Sequence, residues 1–117
     1  MDKIINTKAL GVNVKKYRTD KRLSAEKLAE LTGVSVSHIK NIESASTHPS
    51  AEVLVHIANA LEIPLDILLS DSLSGEAEKI ARMMEYSKML KDCSPSELKI
   101  ITRVADTLLK ELRERER

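Results

Sequence analysis

Between Ser24 and Glu43 the chain starts, stops and restarts a helix within about twenty residues, and this constrains the fold more than any other feature. Ser24 is a good N-cap, Leu28, Ala29 and Leu31 follow it, and Thr32-Gly33 end the segment after about two turns. Ser35 then caps a further short helix whose inward residues are Ile39 and Ile42. Two such short helices, joined by a glycine-containing turn, need neighbouring elements to complete a core.

The flanking sequence supplies those neighbours. From Thr7 to Arg22, Leu10, Val14 and Tyr17 recur at spacings of four and three, one stripe of an amphipathic helix ringed by Lys8, Lys15, Lys16, Lys21 and Arg22. After "ASTHPS", Pro49 and Ser50 open a fourth helix with Leu54, Ile57, Ala58 and Leu61 inward, and Pro64 restarts the chain for a short fifth through Leu69. The small, polar run "SDSLSG", residues 70–75, reads as a linker, which predicts a domain over 1–70 and a C-terminal segment over 71–117. In that segment residues 76–91 read as a helix with Ala77, Ile80, Met83 and Met84 inward. "SPSE" at 94–97 is a capping box with Pro95 at the first helical position. The last helix spaces Leu98, Ile101, Ala105, Leu108 and Leu112 by three, four, three and four, the pattern of a helix that pairs with another. "ELRERER" is a charge run expected to fray into solvent. The expected fold is all-α: a five-helix domain followed by a C-terminal helical hairpin.

Composition narrows the function classes. A chain of 117 residues suits one domain with an extension, and 32% charged residues with two tyrosines and no Phe or Trp suit a soluble helical one. The formal net charge of +1 gives no overall basic field, so any attraction to nucleic acid must come from a local patch. Cys93 is the only cysteine, which excludes an intrachain disulfide and fits a reducing compartment. The longest apolar runs, such as Ile67-Leu68-Leu69, are far shorter than the roughly 18 residues a membrane span needs, and a cytoplasmic protein without a membrane partner is expected. His38, His48, His56 and Cys93 match no zinc spacing, and no phosphate loop or nucleophile elbow is present. No metal, no cofactor and no catalysis are expected.

The helix capped by Ser35 has two faces. At 100° per residue, Ile39 and Ile42 lie within about 60° of each other, whereas Ser37, Asn41 and Ser44 fall on the opposite side and Lys40 flanks them. Val36 and His38 stand in its first turn. A face this small and polar can approach base edges closely, and the helix pair before it is the arrangement that sets its second helix into a DNA major groove.

The stretch "LGVNVKKYRTDKRLSAEKLAELTGVSVSHIKNIESASTHPSAEVLVHIANALEIPLDILL", residues 10–69, resembles a Cro/repressor-type (XRE-like) helix-turn-helix domain, of the lambda-repressor-like fold. The matching pieces run in order: "LG" and "YR", then "LAELTGVS", "IE", "PS" and "IANALEIPLDILL". The resemblance implies that the third helix reads double-stranded DNA. Val36, Ser37 and Asn41 would contact bases, and Lys40, Ser44, His38, Lys15 and Lys8 would lie at the DNA backbone or flank it. Asn41 suits an adenine edge, Ser37 several bases, and Val36 a thymine methyl. It also implies a structural ion pair between Arg18 and Glu43. Two positions depart from the family pattern: Ala25 stands where a Gln often holds the DNA backbone, and Ser44-Ala45 where Arg or Asn and then Gly commonly follow the Glu.

With few phosphate contacts, a single domain should bind modestly, and doubling it raises affinity without new base contacts. The stripe Leu98, Ile101, Ala105, Leu108 and Leu112 is the expected means of dimerisation, its cover being a second copy, a regulatory partner protein or the chain's own first domain. The resulting expectation is a sequence-specific transcriptional regulator, a repressor that binds an inverted repeat as a homodimer. The alternative is an antitoxin-like interaction module whose C-terminal helices bind a partner protein.

Overall fold

The computed structural model describes residues 4–116, and every regular element among them is helical. The elements are α1 (Thr7–Asp20), α2 (Ala25–Thr32), α3 (Val36–Glu43), α4 (Ala51–Leu61), α5 (Leu65–Leu68), a 3₁₀ turn at Ser70–Ser72, α6 (Gly75–Leu90) and α7 (Pro95–Arg115). One compact unit ends at Met84 and a second begins at Glu85.

Side-chain caps decide where the helices of the first unit begin. Asn6 Oδ1 accepts from the Ala9 N–H, and the hydroxyls of Ser24, Ser35 and Ser50 accept from the N–H groups of Lys27, His38 and Val53. Each satisfies a donor that has no partner within the helix, worth about 1 kcal/mol. α2 ends where Gly33 adopts a left-handed φ of 75° and returns its N–H to the Ala29 carbonyl. The spacings expected from sequence are realised in the core: Leu10 and Val14 of α1, Leu28 of α2, Ile39 and Ile42 of α3, Leu54, Ile57 and Leu61 of α4, and Ile67 and Leu68 of α5 are all buried. Leu31, by contrast, is half-exposed on the outer side of α2. The first helix stops at Asp20 rather than Arg22, because Arg22 turns left-handed (φ 59°) and sends the chain back so that Leu23 N–H reaches the Arg18 carbonyl.

α1 and α3 meet at a glycine. A Cβ built on Gly11 would stand 2.6 Å from the carbonyl oxygens of both Ile42 and Glu43, main-chain atoms that cannot swing aside. Gly11→Ala is therefore expected to lose about 2 kcal/mol of stability by overpacking, read as a lower thermal midpoint.

The end of α3 is a Schellman turn: Ser46 N–H bonds the Asn41 carbonyl at 2.9 Å and Ala45 N–H the Ile42 carbonyl at 3.1 Å. Ala45 holds the left-handed position with φ 63°. The place where the family commonly has glycine thus keeps its conformation with a Cβ in it. Ala45→Gly is expected to raise stability by about 0.5–1 kcal/mol, the relieved strain outweighing the entropy the glycine adds to the unfolded chain. A lower thermal midpoint would contradict this.

The run at 70–75 is ordered, not a free linker. Ser70 is buried, and Asp71 accepts from Asn13 Nδ2 at 2.9 Å and from Arg82 Nη2 at 3.1 Å. Asn13 also donates to the Leu68 carbonyl, and Asn6 N–H to the Ser72 hydroxyl. The Asn13 hydrogen bond, with Arg82 beside it, lowers the Asp71 pKa below the usual aspartate range. The first compact unit accordingly runs past residue 70 and takes in the first part of α6. There the inward residue is Ala81, fully buried, with Met84 half-buried on the core, whereas Ala77, Ile80 and Met83 are exposed. Near-complete burial goes to the small side chain, and the polar clasp of Arg82 on Ser70 and Asp71 fixes which stripe of α6 faces the unit.

In the second unit, Ser94 and Glu97 form the capping box that opens α7. None of the residues of α7 is buried. Leu98, Ile101, Leu108 and Leu112 leave between 38% and 53% of their surface open to solvent.

Candidate nucleic-acid interface

α3 is held from below by Ile39 and Ile42, which have 0% and 1% of their surface exposed. The opposite side is open: Ser37, Lys40, Asn41 and Ser44 are all exposed. At 100° per residue these four make one continuous outward strip along the helix. His38 and Val36 are half-buried, and Val36 packs partly against the core, so only part of that side chain is left for an external contact. The Ser44 hydroxyl is turned back onto its own helix, 3.2 Å from the Asn41 carbonyl and 2.8 Å from Ser46 Oγ.

α1 braces this helix. Arg18 Nε donates to Glu43 Oε2 at 2.7 Å and Nη2 to Oε1 at 3.0 Å, a two-pronged pair whose side chains are 12% and 10% exposed. The third prong, Nη1, donates to the Leu23 carbonyl at 2.8 Å and so ties in the turn between α1 and α2. The Glu43 hydrogen bond raises the pKa of Arg18, which therefore keeps its charge at any working pH. Lys8 and Lys15, seven residues apart on α1, are exposed and project within about 20° of each other. Thr7 Oγ1 lies 3.5 Å from His48 Nδ1, joining the start of α1 to the loop before α4.

Of the two departures, Ala25 is buried in the first turn of α2 and offers nothing to a backbone phosphate. Ser44 and Ala45 complete the Schellman turn. The residues that sequence reasoning missed are those whose role depends on a distant partner. Gly11 carried a signal, a small residue inside an apolar stripe, whereas nothing local marks Ser46, Asn13 or Arg82. Among the described residues no group of three or more His, Cys, Asp or Glu is placed to hold a metal ion, and no helix is long and apolar enough to cross a membrane.

A helix-turn-helix family model matches residues 14–68, the span from the middle of α1 to the end of α5. The chain is 30% identical over 89 residues to the HTH-type transcriptional regulator SinR of Bacillus subtilis, a match covering 74% of this chain and 78% of that protein. This chain belongs to the helix-turn-helix family of transcriptional regulators. Among solved structures similar to this helix-turn-helix chain is the restriction-modification controller protein C.AhdI of Aeromonas hydrophila, with 30% identity and a TM-score of 0.53 over 54% of this chain and 96% of that one. The SinR/SinI protein complex matches 86% of this chain and 98% of that one, with 27% identity and a TM-score of 0.51. The chain also matches a regulatory protein of Methanococcus maripaludis at 29% identity over 98 residues, and spans 30% of that protein's length.

Proposed function

We propose that this chain is a sequence-specific transcriptional repressor that lays α3 in the DNA major groove and binds an inverted repeat as a homodimer. The observation that carries the reading is the division of α3: Ile39 and Ile42 anchor it, and the small polar strip of Ser37, Asn41 and Ser44, flanked by Lys40, faces outward with none of those three side chains large enough to keep it from base edges. In this reading Val36, Ser37 and Asn41 meet bases. Lys40, Ser44, His38, Lys15 and Lys8 sit at or beside the phosphates, assisted by the N-terminal amides of α2 and α4. Supplying the cations locally is necessary because the net charge is only +1.

The C-terminal segment supplies the second half of the reading. α7 carries an apolar stripe whose leucines and isoleucine are 38–53% exposed among the described residues, and a second copy of the same helix covers it while bringing two readers onto one symmetric site, about 34 Å apart. A partner protein on the same stripe is the other reading, favoured by the similarity to a chain solved as the SinR/SinI complex. Sedimentation of the pure chain separates the two, since a monomer at micromolar concentration contradicts the homodimer.

The DNA reading is tested by selecting bound fragments from random DNA and repeating the binding over a salt series. Neutralised phosphates release counterions, so log affinity should fall with log salt with a slope of several units. A slope near zero, or no selected sequence, overturns it.

A further inference from the structure

We propose that Ser46 is a positioning residue that turns the side-chain amide of Asn41 so that its nitrogen, not its oxygen, faces the DNA, and so sets base preference at one position of the site. The inference rests on the reading that α3 docks in the major groove. Its basis is the turn that closes α3. In a Schellman turn the residue after the left-handed position folds back over the residue five before it, and an apolar contact usually joins the two. Here those residues are Ser46 and Asn41, and the contact is polar: Ser46 Oγ lies 3.4 Å from Asn41 Oδ1 and 3.2 Å from the Asn41 carbonyl.

Two hydroxyl protons serve this turn. The 2.8 Å contact between Ser44 Oγ and Ser46 Oγ, the shortest of the set, takes one of them with Ser44 as the donor, and the Asn41 carbonyl already accepts the Ser46 N–H at 2.9 Å. The Ser46 proton is then left for Asn41, whose Oδ1 lies at 3.4 Å and whose carbonyl, already bonded, lies at 3.2 Å. With the amide oxygen drawn toward the turn, the NH₂ group is directed away from it, as a pure donor. An asparagine that reads adenine in two places must present both its oxygen, to accept from N6, and its nitrogen, to donate to N7. Held this way, Asn41 keeps only the second of those bonds. It matches edges that offer acceptors, guanine O6 and N7 or thymine O4, better than adenine.

The test is selection from a randomised library by the full chain, compared among wild type, Ser46→Ala, Ser46→Thr and Ser44→Ala, with a melting curve for each. The wild type should disfavour adenine at the position Asn41 contacts, identified as the one that loses preference in Asn41→Ala. Ser46→Ala keeps the main-chain turn but frees the amide to rotate, and adenine there should rise about fivefold relative to guanine and thymine. Ser46→Thr, which retains the hydroxyl, should keep the wild-type preference. Ser44→Ala removes the donor that holds the Ser46 hydroxyl in place and should shift preference the same way by less. A wild-type preference for adenine, an unchanged preference in a folded Ser46→Ala, or a threonine variant that behaves like alanine overturns the inference while leaving the DNA reading intact. A wild type that selects no sequence overturns that reading as well.

Discussion

Replacing Glu43 by alanine is expected to lower stability by about 3 kcal/mol, a fall of roughly 10–20 °C in the thermal midpoint for a domain of this size. The loss comes less from the attraction given up than from what remains. Arg18 is 12% exposed and has two of its three prongs on Glu43, so the truncation strands a guanidinium in a site with little water. The same logic fixes the order of a variant series. Glu43→Gln keeps an acceptor and should cost less than alanine. The double variant Arg18→Met with Glu43→Leu removes both charges and should recover part of the loss, although the Leu23 carbonyl then forfeits its bond from Nη1. An alanine variant with an unchanged midpoint would show that the pair contributes nothing to the hold of α1 on α3. Because Glu43 ends the helix that carries Asn41, weaker specific DNA binding should accompany the loss even at temperatures where the variant is folded.

Introducing a charge into the α7 stripe, as in Leu108→Glu, is expected to weaken binding to an inverted repeat about 100-fold or more while barely affecting the melting of the first unit. Leu108 is 53% exposed in the single chain, so the substitution buries no new polar group there. In the proposed homodimer each copy places that side chain in the seam, and two carboxylates enter an apolar interface from which they cannot reach water. The dimer should dissociate to a monomer on sedimentation, and the advantage of two linked half-sites, commonly 10²–10⁴ in affinity, disappears with it. Affinity for an isolated half-site should stay within about twofold of wild type, because the α3 surface is untouched. A variant that remains dimeric and binds the full repeat normally would place the pairing surface elsewhere.

Both expectations show where a linear reading suffices. The first five helices, the serine caps of α2, α3 and α4 and most of the buried residues follow from periodicity and from serines placed at helix starts, because these effects act within four or five residues of chain. The outward strip of α3 was legible for the same reason, since Ile39 and Ile42 fix its opposite side. Alternation stopped being informative at α6, where Ala77, Ile80, Met83 and Met84 looked like one inward face. The structure buries Ala81 instead, because Arg82 must reach Ser70 and Asp71, partners eleven and twelve residues back that no local pattern announces.

The turn after α3 shows the division most clearly. In the sequence, Ser44-Ala45 stands after the Glu where glycine is common at the second position. In three dimensions Ala45 adopts the left-handed conformation regardless, held by two main-chain hydrogen bonds that cost an alanine more than a glycine but less than losing the turn. The sequence by itself determined which stretches are helical, which side of each is apolar and to which family the pattern is similar, all properties of neighbouring residues. Only the tertiary structure decided how closely α1 approaches α3 over Gly11 and which stripe of α6 is buried. Each of these depends on atoms brought together across a turn or between helices, and distances between such atoms are set by packing, which a local pattern does not encode.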